Sequence, residues 1–89
     1  MIQAHVFIGG DVIGVGFRAW TAIQAKTVGV NGWAKNSGTK VEAVFQGEKE
    51  KVERLIELVK KGPPASTVDE VEVVYEKSSE NLQEFVIRR

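Results

Sequence analysis

"GEKEKVERLIELVKKG", residues 47–62, contains the clearest structural pattern in the chain. Four apolar residues recur at positions i, i+3, i+4 and i+7, a spacing that places them on one face of an α-helix: Val52, Leu55, Ile56 and Val59. Glutamates precede this run and two lysines close it, as the helix dipole favours, and Gly62 followed by Pro63 ends it. The segment therefore predicts an amphipathic helix whose apolar side needs a partner.

Segments typical of β-strands lie on both sides of this helix. Upstream, "VNGWAKN" (30–36) and "KVEAVFQG" (40–47) are joined by the turn-forming "SGT" and predict a hairpin. Downstream, "VDEVEVVY" (68–75) alternates apolar and polar residues, and "EFVI" (84–87) predicts a short final strand. We therefore expect the helix to pack against a sheet made from these strands.

Alternation along residues 40–47 predicts which side of the sheet the helix covers. The face expected to be covered carries Val41, Ala43 and Phe45. The face expected to be wet carries Glu42, Val44 and Gln46.

The N-terminal third predicts one more strand and one more helix. "AHVFI" (4–8) is β-prone, and alternation places Ala4, Val6 and Ile8 on one face. "FRAWTAIQAKTVGV" (17–30) contains no proline, and Gly29 can take the left-handed conformation that closes a helix. A helix over residues 18–28 is therefore expected.

The predicted order is βαββαβ followed by one further strand. This order describes two split βαβ units, whose crossovers place both helices on one face of an antiparallel sheet. The expected fold class is α/β, in the form of an α+β sandwich with a short fifth C-terminal strand. At 89 residues the chain is large enough for one core and too small for two, so residues 1–89 are expected to form a single domain.

Composition argues against several classes of function. The chain carries 12 basic and 12 acidic side chains, so no net charge attracts a nucleic acid backbone or an anionic membrane. It contains no cysteine, which rules out a disulfide framework and a thiolate nucleophile. No apolar run approaches the roughly 20 residues that a membrane span needs, and no signal-type segment precedes the first strand. We expect a cytoplasmic, monomeric protein that binds neither nucleic acid nor membrane.

A glycine-rich stretch, "GDVIGVGFRAW" (10–20), connects the first strand to the first helix. "GVGFRA" formally matches the G-x-G-x-x-A pattern of dinucleotide sites, but Lys35 and Asn36 stand where such sites need an acidic residue. The P-loop pattern is absent, because no Lys-Ser or Lys-Thr follows a glycine at the required spacing. What remains is a set of backbone N–H groups that converge at a helix N-terminus and favour a small anion.

Arg18 lies in the first turn of the predicted helix. Its planar guanidinium can hold a phosphate through two parallel hydrogen bonds. The alternative interpretation is that Gly14 and Gly16 only form a tight turn and that Arg18 is a surface charge. These residues alone leave both interpretations open.

Two motifs resemble those of the acylphosphatase family. "GDVIGVGFR" (10–18) is similar to the family signature G-x-V-Q-G-V-G-F-R after strand one, and "GVNGWAKN" (29–36) is similar to G-x-x-G-[WYF]-[VA]-x-N. The resemblance extends through "VEAVFQG", "GPPASTVDEVEV" and "EFVI" and so covers nearly the whole chain. Three positions depart from the family pattern: Asp11 replaces a basic residue, Ile13 replaces glutamine, and the turn at 37–40 is one residue shorter.

The resemblance implies a ferredoxin-like fold and an enzyme that hydrolyses the carboxyl–phosphate bond of small acyl phosphates to a carboxylate and inorganic phosphate. It implies that Arg18 binds the phosphate and that Asn36 holds the attacking water. The loop residues whose backbone N–H groups would complete the phosphate site are Ile13, Gly14, Val15, Gly16 and Phe17. No metal and no cofactor are expected.

Two alternative functions stay open. A non-catalytic anion-binding or regulatory domain can have the same fold, because a fold does not determine its function. A relative of the acylphosphatase-like module in carbamoyl phosphate-handling maturation proteins is a weaker alternative, because the sequence shows no further domain.

The other candidate residues favour structural roles. His5, the only histidine, is expected on the open face of the first strand without a metal-binding cluster. Trp20 and Trp33 are candidates for the acyl side of the site, although packing is the commoner role of tryptophan. A solvated helix face is expected for Glu48, Glu50, Glu53 and Glu57.

Overall fold

The computed structural model describes residues 1–78 and 80–89, and within them the elements follow the order expected from the sequence. The five strands are β1 (Ile2–Asp11), β2 (Asn31–Ser37), β3 (Lys40–Gly47), β4 (Thr67–Glu76) and β5 (Phe85–Ile87). The two helices are α1 (Phe17–Val28) and α2 (Lys49–Lys61). Both predicted helices and the predicted hairpin are therefore confirmed.

The strands of the described residues form one sheet in the order β4-β1-β3-β2-β5. The contacts of β1 with β3, of β1 with β4 and of β2 with β3 are antiparallel, whereas β5 lies parallel to β2. The ferredoxin-like α+β fold is confirmed, but the sheet is mixed rather than wholly antiparallel. The chain leaves β4 at the end of the sheet where β2 begins. The connection from β4 crosses the sheet at that same end, so β5 starts beside the start of β2 and runs parallel to it.

Both helices pack on one face of this sheet. The two central strands bury alternate residues on that face, as predicted: Ala4, Val6, Ile8, Val41, Ala43 and Phe45. The apolar residues of α2 that recur at helical spacing are buried against them. At the end of α1, Gly29 has a left-handed φ of 95° and donates its N–H to the Ala25 carbonyl oxygen at 2.8 Å. Periodicity therefore identified these core residues correctly, and Gly29 identified the end of α1, which begins one residue earlier than predicted, at Phe17.

The opposite face of the sheet is partly covered, which corrects the expectation of a wet face. Val44 and Gln46 are only 4% and 1% exposed, and Glu42 is half-buried. Because β4 and β5 lie at opposite edges, the chain between them crosses the sheet near Gln46. The Gln46 side-chain nitrogen donates to the Glu80 carbonyl oxygen at 2.9 Å, and its oxygen accepts the Leu82 N–H at 2.8 Å. The crossing segment thus contacts Gln46, which alternation assigns to solvent.

Strand β1 is longer than predicted and extends through two glycines. It ends at Asp11 rather than Ile8, and its register with β4 shifts between Gly9 and Gly10. Gly10 has a φ of 129°, and an added Cβ would lie 2.2 Å from the Thr67 carbonyl oxygen, so only glycine fits there. Such an irregularity bends a strand, and here it lies immediately before the glycine-rich loop.

Close backbone packing between β2 and β3 can be tested at Gly32. This residue has a φ of 148°, and an added Cβ would lie 1.8 Å from the Val44 carbonyl oxygen. We expect Gly32→Ala to lower the free energy of unfolding by about 3 kcal/mol, because a ladder carbonyl cannot move away without breaking the sheet. Urea denaturation measures this loss.

Gly38→Ala is the matched control for that experiment. Gly38 also has a left-handed φ, 63°, but an added Cβ there meets no atom within 4 Å. The control should lose only about 1 kcal/mol, the strain of a left-handed alanine. Equal losses for the two variants would show that the contact with Val44 has no effect on stability.

Candidate active site

The glycine-rich loop between β1 and α1 is held at both ends by buried side chains. Val12 and Phe17 are each 1% exposed. Between them, positive and negative φ values alternate along the backbone. The φ of Gly14 and of Gly16 is 76°, and the φ of the residues before and after each glycine is negative. Alternating handedness turns successive backbone N–H groups into one concavity, an arrangement known as a nest. The loop therefore has backbone geometry suited to an anion.

The backbone N–H groups of this turn are not used within the protein. In residues 1–78 and 80–89, no N–H from Ile13 to Ala19 donates to a protein acceptor, and the next one, Trp20, donates to the Gly16 carbonyl oxygen at 3.0 Å. Helix α1 also begins without a side-chain cap and without an acidic residue in its first turn. A run of free N–H groups and the positive end of the helix dipole are thus both available to an anion.

Arg18 is the second residue of α1, and its side chain is half-buried. Its guanidinium Nη1 donates a hydrogen bond to the carbonyl oxygen of Arg88, just beyond β5, at 3.0 Å. No carboxylate of the described residues forms an ion pair with Arg18. Because a cation in the first turn opposes the helix dipole, this position is unfavourable for helix stability. Both facts suit an arginine that meets an anionic ligand.

Asn36 lies near the end of β2, opposite Val41 of β3, and is exposed. Together with Arg18 it lines a cavity of about 140 Å³ beside the loop. The structure thus brings together two residues that are 18 positions apart in the sequence.

Of the residues expected at the site, five line this cavity: Gly14, Gly16, Phe17, Arg18 and Asn36. The other two, Ile13 and Val15, do not line it. The Ile13 side chain is 37% exposed, and Val15 packs against the core. The role of their N–H groups stays a prediction. The cavity has three further lining residues that sequence reasoning missed: Val12, Ala19 and Ile87. The first two flank the loop, whereas no sequence signal pointed to Ile87, which depends on the parallel pairing of β5.

The tryptophans and Asp11 lie outside the cavity. Trp20 packs against Phe17 with the ring centroids 5.6 Å apart, and Trp33 meets the edge of His5 at 5.9 Å. Both therefore have the packing role that was the alternative to lining the acyl side. Asp11 pairs with Thr67 at the end of β1.

His5 is on the open face of the sheet, as expected. Its Nε2 lies 2.6 Å from Glu42 Oε2 and its Nδ1 lies 3.5 Å from Glu76 Oε1. Even so, the described part of the chain holds no group of three or more histidine, cysteine, aspartate or glutamate side chains arranged for a metal ion. Neither α1 nor α2, the helices of the described residues, is long and apolar enough to cross a membrane.

A larger and more open groove, of about 630 Å³, lies at the other end of β1. It is lined by residues at the start of β1, the start of α2 and the end of β4, including Gln3, Lys49 and Tyr75. It includes neither the glycine-rich loop nor an arginine. The small cavity is therefore the better candidate for a phosphate compound.

The chain is similar to proteins of one family. The family model described as acylphosphatase matches residues 4–87. A curated acylphosphatase from Gloeobacter violaceus is 45% identical over 89 residues, which cover 99% of this chain and 95% of that protein. The crystal structure of an acylphosphatase from Bacillus subtilis has a TM-score of 0.96 and 32% identity, with 100% of both chains covered. An acylphosphatase structure from Coxiella burnetii has a TM-score of 0.93 and 32% identity, covering 98% of this chain and 92% of that one.

Inorganic phosphate should stabilise the protein by binding at the loop. Phosphate at about 100 times its dissociation constant would add roughly 2.7 kcal/mol to the free energy of unfolding. Each kcal/mol raises Tm by about 4–8 °C in a domain of this size. Arg18→Ala should lose most of the shift because it removes the only side-chain cation that lines the cavity in the described residues.

Thermal unfolding in phosphate and in chloride at equal ionic strength measures this effect. Arg54→Ala, on the exposed side of α2, is the matched control and should keep the full shift. A shift that survives Arg18→Ala would place the phosphate elsewhere.

Proposed function

Because the chain belongs to the acylphosphatase family, we propose that Arg18, Asn36 and the backbone of the glycine-rich loop carry out its reaction. The protein is an acylphosphatase, a hydrolase that cleaves the carboxyl–phosphate bond of acyl phosphates and releases a carboxylate and inorganic phosphate. One observation supports these residues above others: Arg18, Asn36 and both loop glycines line the same small cavity at the start of α1.

In this proposal the loop and Arg18 bind the phosphoryl group together. The N–H groups of residues 13–18 contact the non-bridging oxygens, and the α1 dipole adds a partial positive charge. The Arg18 guanidinium donates two parallel hydrogen bonds and neutralises charge that builds up in the transition state. The hydrogen bond of Arg18 to the Arg88 carbonyl uses one of its five N–H groups and leaves the others for phosphate.

Asn36 has the role of holding the attacking water. Its side-chain oxygen can accept a hydrogen bond from water, which orients a lone pair of the water oxygen toward phosphorus. The bond from water to phosphorus forms as the bond from phosphorus to the acyl oxygen breaks, and the electron pair of that bond leaves on the carboxylate. Both protons of the water stay on the released phosphate, so the step needs no general base. Catalysis is then mainly positioning and charge stabilisation.

The leaving group explains why so few side chains are sufficient. A carboxylate is a weak base and departs without a proton from a general acid. We therefore propose a reaction that needs no metal, no histidine and no covalent intermediate. Ordinary phosphate monoesters would expel an alkoxide, which needs assistance that this site does not offer.

We also propose that the protein acts as a cytoplasmic monomer without a nucleic acid partner, in a single domain over residues 1–89. Equal numbers of acidic and basic residues support the absence of a nucleic acid partner. The outer strand β4 carries four acidic residues, Asp69, Glu70, Glu72 and Glu76. Like charges oppose antiparallel pairing of this edge with the same edge of a second copy.

Removal of the Arg18 side chain and removal of the Asn36 side chain should have different effects on the kinetics. Arg18→Ala removes charge-assisted hydrogen bonds of about 1.5–3 kcal/mol each and should abolish measurable turnover, and Arg18→Lys should recover little because the fork is lost. Asn36→Ala should lower kcat by roughly 100- to 1000-fold, by analogy with loss of one preorganised polar group. Phosphate should still inhibit Asn36→Ala competitively. Steady-state kinetics on a synthetic acyl phosphate measures all three.

Controls come from neighbouring positions. Ser37→Ala alters the exposed residue next to Asn36, and Arg54→Ala removes an arginine on α2, so both should keep wild-type kcat and KM. A folded Asn36→Ala variant with wild-type kcat would show that another group holds the water.

Substrate preference and metal dependence provide a further test. The protein should hydrolyse an acyl phosphate at the same rate with and without EDTA and leave an alkyl phosphate monoester almost untouched. Phosphate release measures both rates. Loss of activity on chelation that returns with added metal would refute the metal-independent mechanism.

A further inference from the structure

Arg88, which follows β5, makes contacts with three other residues. Its N–H donates to the Ala34 carbonyl oxygen at 2.8 Å and continues the ladder of β5 on β2. Its carbonyl oxygen accepts the hydrogen bond from Arg18 Nη1 at 3.0 Å. Its guanidinium carbon lies 4.7 Å from the centroid of the Trp33 ring. Arg88 thus links an arginine at the cavity to an aromatic ring on the opposite face of the sheet.

Strand β5 packs against β2 and α1, but it is short and its last two residues are partly exposed. It pairs with β2 through three residues only, and just the first of them, Phe85, is buried. Val86 and Ile87 are 37% and 46% exposed. Beyond the packing of β5 against α1, two contacts of Arg88 itself hold its carbonyl in place: the hydrogen bond to Ala34 and the contact of its side chain with Trp33.

We propose that Trp33 is a positioning residue for the hydrolysis of acyl phosphates. The ring of Trp33 holds the Arg88 side chain by a cation–π contact, and this fixes the Arg88 carbonyl that orients the guanidinium of Arg18. A bidentate bond to phosphate requires a fixed orientation of the guanidinium plane. A carbonyl that accepts from one N–H group fixes that plane and so orients the remaining N–H groups toward the phosphate. The inference rests on the proposed role of Arg18 in phosphate binding.

Trp33 is well placed for this role because other side chains hold the ring. The ring of His5 meets it at 79° with the centroids 5.9 Å apart. A second cation, Lys35 Nζ, lies 5.6 Å from the same ring centroid and forms its ion pair with Glu42, at 3.9 Å. Lys35 therefore provides a matched control, since its removal alters the environment of the ring without changing the connection to the site.

The test compares the inhibition constant of inorganic phosphate and the kinetics on a synthetic acyl phosphate across variants. Trp33→Leu and Arg88→Met should each raise KM and the phosphate inhibition constant by about two- to fivefold, the range expected from an exposed cation–π contact. The kcat should fall by no more than the same factor, because Arg18 binds the phosphoryl group in the ground state and also neutralises charge that builds up in the transition state. Trp33→Phe should restore most of the affinity, and Lys35→Met should match wild type.

The split between KM and kcat separates positioning from stability. If Trp33 only stabilises the fold, a variant would lose active molecules, so kcat would fall while KM and the phosphate inhibition constant stay at wild-type values. A phosphate inhibition constant at the wild-type value in Trp33→Leu would overturn the inference. So would a Trp33→Leu/Arg88→Met double variant whose rise in the inhibition constant equals the product of the two single rises. Arg18→Ala, measured in parallel, separates the two proposals. A wild-type phosphate inhibition constant in Arg18→Ala would refute the proposed role of Arg18. A wild-type constant in Trp33→Leu, with a raised constant in Arg18→Ala, would refute only the role of Trp33.

Discussion

The loop after β1 keeps its shape because the residues at its two ends are buried. Val12 and Phe17 insert into the core, and the backbone between them must turn within four residues. Left-handed φ values at Gly14 and Gly16 make this turn possible. An added Cβ at either glycine would meet no atom within 4 Å, so conformation rather than space requires glycine at both positions. The packing of the core thus determines the direction of the N–H groups at the site.

Helix α1 begins in a way that is poor for a helix and favourable for an anion. It lacks a side-chain cap, has no acidic residue in its first turn and carries Arg18 there instead. Helix α2 also begins without a side-chain cap, but its first turn carries the acidic Glu50, and its last turn carries Lys60 and Lys61. Local rules that a sequence breaks at one place and obeys at another commonly mark a functional site. The contrast between the two helices therefore supports an anion site at α1.

Much of the fold followed from local patterns, whereas the far edge of the sheet did not. The spacing of Val52 to Val59 and the glycine after Val28 have local causes, and the structure has both as predicted. The burial of Gln46 and the parallel pairing of β5 depend on where the chain crosses the sheet, which no short window records. At the site, motifs pointed to Arg18 and Asn36, which the structure brings to the same cavity. The sequence did not point to the Arg88 carbonyl, because every residue has a carbonyl and only the folded structure shows which one accepts a hydrogen bond from Arg18.

The hydrogen bond between Arg18 and Arg88 joins residues 70 positions apart. During synthesis the glycine-rich loop and α1 leave the ribosome long before the residues of β5 exist. Ile87 reaches the cavity, and the Arg88 carbonyl reaches Arg18, only after the crossing segment has passed over the sheet. A nascent chain can therefore form its helices and its central strands while the cavity still lacks one wall. The contact that completes the site is also one of the longest in sequence, and contacts of that kind cost the most loop-closure entropy.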